Sequence, residues 1–260
     1  MAPSLSGQDT GITVGINNNR LVKVNLETGE VMPFATLRGL PSDEEVRNLV
    51  YVEQDQAFYA TLYTKTHPTL LRIRGTGAWE VVGRLAMYDG QQPYFCEGLA
   101  FDQQTGQLYV AVSLDGSIAS GDKTSEALLT VDRFTGICAF QAYLRNHPPP
   151  NDFDEIAVYE GQLFCFDGNP SINNTYVFPF SIHQLSGELF AGTKQNIPYF
   201  TMDDVLVRGQ LAYFPNARDG YLYVYDLVSR KYRRVNRLRG PNHLGRIKLT
   251  GLAFLPLARA

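Results

Sequence analysis

A pair of short apolar strands joined by a tight turn recurs along this chain, and that repeat leaves few folds open. The unit is plainest in GLAFDQQTGQLYVAV, Gly98–Val112. It returns in Asn48–Leu62, Glu155–Phe166 and Asp204–Phe214. Between these stands a second unit: an alternating strand, a turn and another alternating strand. It reads RLVKVNLETGEVMPF in Arg20–Phe34, and returns in Thr69–Val82, Leu128–Phe140, Tyr176–Phe190 and Tyr221–Val235. Its turns carry Glu-Thr-Gly, Phe-Thr-Gly and Leu-Ser-Gly, whose glycine tolerates a left-handed backbone. Successive turns lie about 43 to 59 residues apart, the spacing of repeated four-stranded sheets. No segment sustains helical periodicity with caps, so helix is scarce.

The two ends are incomplete in complementary ways. Ile12–Ile16 opens the chain without an innermost strand before it, and Leu249–Pro256 is an innermost strand with nothing after it. One sheet made from both ends closes a ring and limits exposed edges. The expected fold is therefore all-β: a five-bladed β-propeller with four antiparallel strands per blade, one domain over 1–260. The blades are expected at 11–38 plus 248–256, 46–85, 96–144, 153–194 and 202–238. GLAFDQQTGQLYVA and the V-D-x-x-T-G type of turn resemble the β-propeller superfamily, especially its irregular NHL-like and quinoprotein-like repeats. The resemblance implies a fold and leaves function open.

An apolar fraction of 44% suffices for a substantial core. The formal charge of −3 argues against general nucleic-acid binding. Cys96, Cys138 and Cys165 have no CxxC spacing and read as buried free thiols. There is no apolar run long enough to span a membrane and no leader pattern at the N-terminus. The chain reads as soluble, with the cytoplasm as the default compartment. A secreted protein whose leader had been removed would look the same.

Aligning the innermost strands on Asn48, Gly98, Glu155, Asp204 and Gly251 puts Arg47, Glu97, Asp154, Asp203 and Thr250 just before them. These residues are expected to converge where the inner strands begin, here called the upper face. Gathered carboxylates repel unless something compensates them. Two compensations are open: pairing with Arg47, or a hard cation such as Ca²⁺ among Glu97, Asp154 and Asp203. Around them, Tyr94, Phe95, His147, Phe153, Tyr199, Phe200 and His243 offer flat apolar faces and polar groups suited to a small ligand. No zincin spacing, nucleophile elbow, P-loop or dinucleotide fingerprint occurs.

Two functions remain open. One is a binding propeller with a central upper-face pocket for a small polar ligand, carbohydrate among the candidates, or for a partner protein. The other is a hydrolase. Calcium-dependent lactonases, five-bladed glycosidases and calcium-activated nucleotidases are similar in architecture and use carboxylates near the axis. That resemblance would implicate Glu97, Asp154 and Asp203. No Asp-Pro opens the first blade, and Glu97-Gly98-Leu99-Ala100-Phe101 resembles a lactonase metal strand only superficially, without asparagine partners that can be placed. RKYRRVNRLRG, Arg230–Gly240, is strongly basic. It reads as a charge-guarded outer edge or as a surface for an anionic partner.

Overall fold

The computed structural model describes residues 11–41, 43–63, 67–114, 126–143, 154–169, 174–182, 189–198, 204–216, 219–241 and 247–256. Strands β1 (Gly11–Asn17), β2 (Arg20–Val24) and β3 (Val31–Thr36) belong to the first sheet. The second runs outward from β4 (Glu45–Val52) through β5 (Ala57–Tyr63) and β6 (Thr69–Ile73) to β7 (Trp79–Arg84). After β8 (Ala86–Met87), the third runs β9 (Phe95–Asp102), β10 (Gln107–Ser113), β11 (Glu126–Val131) and β12 (Ile137–Tyr143). The fourth contains β13 (Glu155–Tyr159), β14 (Gln162–Asn169), β15 (Asn174–Ile182), β16 (Leu189–Ala191) and β17 (Gln195–Pro198). The fifth runs β18 (Leu206–Arg208), β19 (Leu211–Asn216), β20 (Tyr221–Asp226) and β21 (Tyr232–Arg237). The last strand, β22 (Gly251–Pro256), returns to the first sheet and lies inside β1.

That return closes the ring as the two incomplete ends require. The β1–β22 register runs antiparallel from Gly11↔Pro256 to Ile16↔Gly251. Inner strands β22, β4, β9, β13 and β18 touch in cyclic order, with β18 meeting β22 again.

Each sheet packs against two neighbours, so both of its faces must be apolar. The run Ala57–Leu62 in β5 is accordingly buried at every position. Among the described residues the core falls into five layers, one at each seam between adjacent sheets. Val14, Ile16 and Leu21 meet Val46 and Phe58 between the first and second. Tyr59 and Leu70 meet Leu99 and Val110 between the second and third. Leu128 meets Phe178 between the third and fourth, and Phe166 meets Phe214 between the fourth and fifth. Leu222 and Val224 meet Val22 and Val24 at the seam that closes the circle.

The repeated turns share one device. Asn25, Asp102, Asp132 and Asp226 each accept backbone N–H groups two or three residues on. Gly29, Gly106 and Gly136 follow with φ between +72° and +79°, and Arg230 takes φ +58° in the fourth turn. These are Asx turns, in which a short polar side chain stands in for a backbone carbonyl.

Two sheets carry more than the four strands expected. The two-residue β8 pairs parallel to β12 at the rim of the third. In the fourth, the outermost strand is split. β16 pairs with Phe180–Ile182 and β17 with Asn174–Val177, leaving Pro179 opposite the break. Gly192 N–H donates to the Pro179 carbonyl at 2.7 Å as the chain crosses this gap. Proline has no N–H for a ladder and disrupts regular pairing at its position.

Candidate functional site

At the upper face the inner strands converge more tightly than side chains normally permit. A Cβ on Gly98 would lie 2.8 Å from Ile156 N and 2.9 Å from Glu155 Cα. One on Gly251 would lie 2.8 Å from Leu49 Cβ. Asn48, Glu155 and Asp204 stand in the same layer, exposed by 1%, 3% and 1%. We call this layer the collar.

Asp204 closes the collar. Its Oδ1 accepts from its neighbour Val205 N at 2.7 Å. Its Oδ2 accepts from Leu49 N of the second sheet at 3.3 Å and from Leu252 N of the first. One carboxylate thus joins three inner strands. Asn48 adds cross-links: its N–H donates to Thr250 O at 2.8 Å, and its Nδ2 to Thr61 Oγ1 and Cys96 Sγ. Thr250 Oγ1 donates back to Val46 O at 2.8 Å.

Below the collar lies a cavity of about 980 Å³, roofed by Leu49, Leu99, Ile156, Val205 and Leu252. Its walls descend the inner strands past Tyr51, Phe101, Val158, Val207 and Phe254. It ends among the first turns of the repeats, where Glu53, Gln56, Gln103, Gln104 and Glu160 form an exposed polar rim. Arg208 stacks on Phe254 at 4.2 Å. Gln103 Nε2 ties the rim by donating to Tyr51 O at 2.7 Å. Beside it, Arg133 pairs with Asp55 at 2.6 Å and joins the second and third sheets. Burial pushes the Asp55 carboxyl up, but hydrogen bonds from Arg133 and Tyr59 outweigh it and hold the pKa below its ordinary value.

This cavity opens at the face opposite the one expected to hold a pocket, and Arg47, Tyr94, Phe95, Glu97 and Asp154 do not line it. Arg47 and Phe95 do come together at the upper face. The guanidinium lies 5.1 Å from the Tyr63 ring and 5.9 Å from Phe95, and it pairs with Glu45 at 2.6 Å. Lys248 reaches the same carboxylate at 3.5 Å. Tyr94 is 47% exposed nearby in sequence, its N–H bonded to Ser113 O.

Glu97 and Asp154 are half-buried. Glu97 is the extra residue of a bulge, because Ala111 faces Gly98 while Val112 faces Cys96. Its charge and that of Glu155 act on Cys96, while Asp154, Asp167 and Glu126 act on Cys165. Among the described residues no group of three His, Cys, Asp or Glu is placed to hold a metal ion. Asp203, His147, Phe153, Tyr199, Phe200 and His243 lie outside the described residues.

The thiols are a by-product of this architecture. Burial pushes the Cys96 and Cys165 pKa values well up, and the neighbouring carboxylates push further. Cys138 is pushed up to about 12 by burial. Thiolate is the reactive form. Ellman's reagent at pH 8 should therefore label none of the thiols in the native protein, and all three after denaturation in guanidinium. Prompt labelling of the folded protein would contradict the packing at two seams.

No family model matches the chain, and no curated protein matches it in sequence. Solved structures do match in shape. A chain in the crystal structure of a nidogen/laminin complex superposes with a TM-score of 0.58 at 13% identity, over 96% of this chain and 99% of that one. The five-sheet ring and that full-length superposition decide the fold. The chain is a five-bladed β-propeller. TolB from Acinetobacter baumannii also superposes, with a TM-score of 0.51 at 10% identity over 96% of this chain and 68% of that one. At these identities the likeness is one of fold alone. No helix among the described residues is long and apolar enough to cross a membrane.

What sequence reasoning missed in this propeller is the rim. Glu53, Gln56, Gln103, Gln104 and Glu160 sit in the turns of the first repeat unit, and nothing in the alternation marks those turns as a mouth. The available signal was their composition, since amides and acids there follow the aromatic residues Tyr51, Phe101 and Tyr159.

Proposed function

We propose that the protein is a binding propeller whose ligand enters the central channel from the turn face. The observation that carries this reading is the division of polar groups along the axis. The collar aspartate is engaged by backbone amides of other sheets, whereas the cavity below is lined by the inner strands with polar and apolar surface together and opens among exposed Glu and Gln side chains. Such a pocket suits a ligand with an apolar face and neutral or cationic hydrogen-bonding groups. A sugar or a comparable polar small molecule meets that description, with Tyr51 and Phe101 as apolar contacts and the glutamines as partners.

Saturation-transfer NMR tests the reading with alkyl glycosides, alkylammonium ions and alkyl carboxylates of matched chain length. Glycosides and ammonium ions should give signals, carboxylates weaker ones, because Glu53 and Glu160 guard the mouth. Val158→Trp and Val207→Trp, which fill the channel at half-buried wall positions, should each abolish the signals while the circular dichroism stays native. Signals that survive both substitutions would overturn the channel site. Stabilisation by calcium, lost in Glu97→Gln and Asp154→Asn, would replace it with the carboxylate site and the hydrolase reading.

A further inference from the structure

The outer strand of the fifth blade is unlike the other outer strands. Arg230, Lys231, Arg233, Arg234, Arg237 and Arg239 fall within ten residues that contain no acid, and all six are exposed. Charge on an edge strand is a common guard against unwanted pairing. That purpose alone does not explain six cations, because β3 (VMPFAT) is an outer strand with no charged residue at all.

The geometry of this edge is specific. β21 pairs with β20 on its inner side and is the last strand of its sheet. Among the described residues its C-terminal end, from Asn236 on, is tied to the turn of the first sheet at residues 27–31, which leaves the edge open over residues 232–235. Arg239 N donates to Gly29 O, Val31 N donates to Arg239 O, and Asn236 Nδ2 donates to Glu27 O. The nearby acids are Glu27 and Glu30 at that end, and Asp219 and Asp226 on the inner side. Asp219 accepts from Tyr223 Oη at 2.6 Å, and Asp226 caps its turn. β21 carries a bulge between Arg234 and Arg237, so Arg234 opposite Tyr223 and Arg237 opposite Tyr221 share one face and Arg233, opposite Val224, lies on the other, with Arg234 held over the Tyr221 ring at 4.5 Å. Cations therefore flank an open backbone edge on both sides.

We propose that β21 is a docking edge for an acidic, extended segment of a partner protein, added as a further strand outside the fifth sheet. An added strand satisfies the outward backbone groups, and its alternating side chains reach both faces, where carboxylates meet the arginines as cross-strand pairs. A polyanion with charges along one side would use one face only and would leave the backbone edge unpaired.

Fluorescence anisotropy with a labelled decapeptide of Glu, Thr and Val, acidic at positions on both faces, tests the proposal on the intact protein. A second probe is the same peptide N-methylated at alternate residues, which keeps its charge and loses its strand-pairing edge. A heparin-derived oligosaccharide is the third. The plain peptide should bind at least about tenfold more tightly than the N-methylated one, and should weaken as salt rises. Arg233→Gln with Arg237→Gln, both at exposed positions, should weaken it about tenfold with the thermal melt unchanged. Equal binding of the two peptides, tighter binding of the oligosaccharide, or no binding of the plain peptide at millimolar concentration would each overturn it. The N-methyl comparison needs no variant, so a substitution that unfolds the protein does not shield the proposal.

Discussion

Asp204→Ala should lower the stability of the protein by about 4 kcal/mol, the largest loss expected from any single change in the collar. The carboxylate is 1% exposed and takes backbone hydrogen bonds from Leu49, Val205 and Leu252. A hydrogen bond to a charged group is worth about 1.5–3 kcal/mol, and a buried donor left without an acceptor carries its full desolvation cost. Alanine strands two such donors on two different blades at once. The effect is more than local, because Leu49 and Leu252 belong to the second and first sheets while Asp204 introduces the fifth. Asp204→Asn keeps one acceptor oxygen but turns an NH₂ group towards amide donors, and should cost about half as much. Urea denaturation measures both, with the midpoint moving and the slope constant if the native state stays compact. A loss below about 1 kcal/mol for the alanine variant would show that Asp204 does not hold the ring together.

Gly98→Ala should cost about 3 kcal/mol, and the reason is geometric. The added methyl would sit 2.8 Å from Ile156 N and 2.9 Å from Glu155 Cα. Both are backbone atoms of the neighbouring inner strand, so no rotamer change relieves the clash. The third and fourth blades would have to part at the axis, opening the seam that buries Leu128, Cys165 and Phe178. Gly251→Ala is milder, since its nearest neighbours are the side-chain atoms Leu49 Cβ and Ile16 Cδ1. Gly75→Ala is the control: nothing lies within 4 Å of its Cβ, and the change should stay within about 0.5 kcal/mol of neutral. Equal midpoints for Gly98→Ala and Gly75→Ala would mean that the third and fourth inner strands do not approach this closely at Gly98.

Ring closure was legible because GITVGI and LTGLAFLP each lack something the other has, and a sheet cannot leave both unpaired. The inner-strand alignment was legible too. The residues after Asn48, Gly98, Glu155, Asp204 and Gly251 are those that roof the cavity. Side-chain direction was not. Asn48 takes φ +55° at a bulge between Arg47 and Val50, and Glu97 is the extra residue of another. A bulge re-aims its side chains without changing the local composition, so alternation counted along the sequence fails at the point where the site was inferred. The Arg47–Glu45 pair was available from i, i+2 spacing on one strand face. β8 was not, since two residues carry no periodicity. The split of β16 from β17 had Pro179 as its only sequence sign.

The decisive property is a channel shut by the collar at one end and open among the turns at the other. Hydrogen exchange at the Leu49 and Leu252 amides reads it directly. Both N–H groups should exchange in the slowest class, through global unfolding, and both should become fast together in Asp204→Ala. Rapid exchange of either amide in the unaltered protein would mean that water reaches the axis from the upper face, and that the collar does not exist.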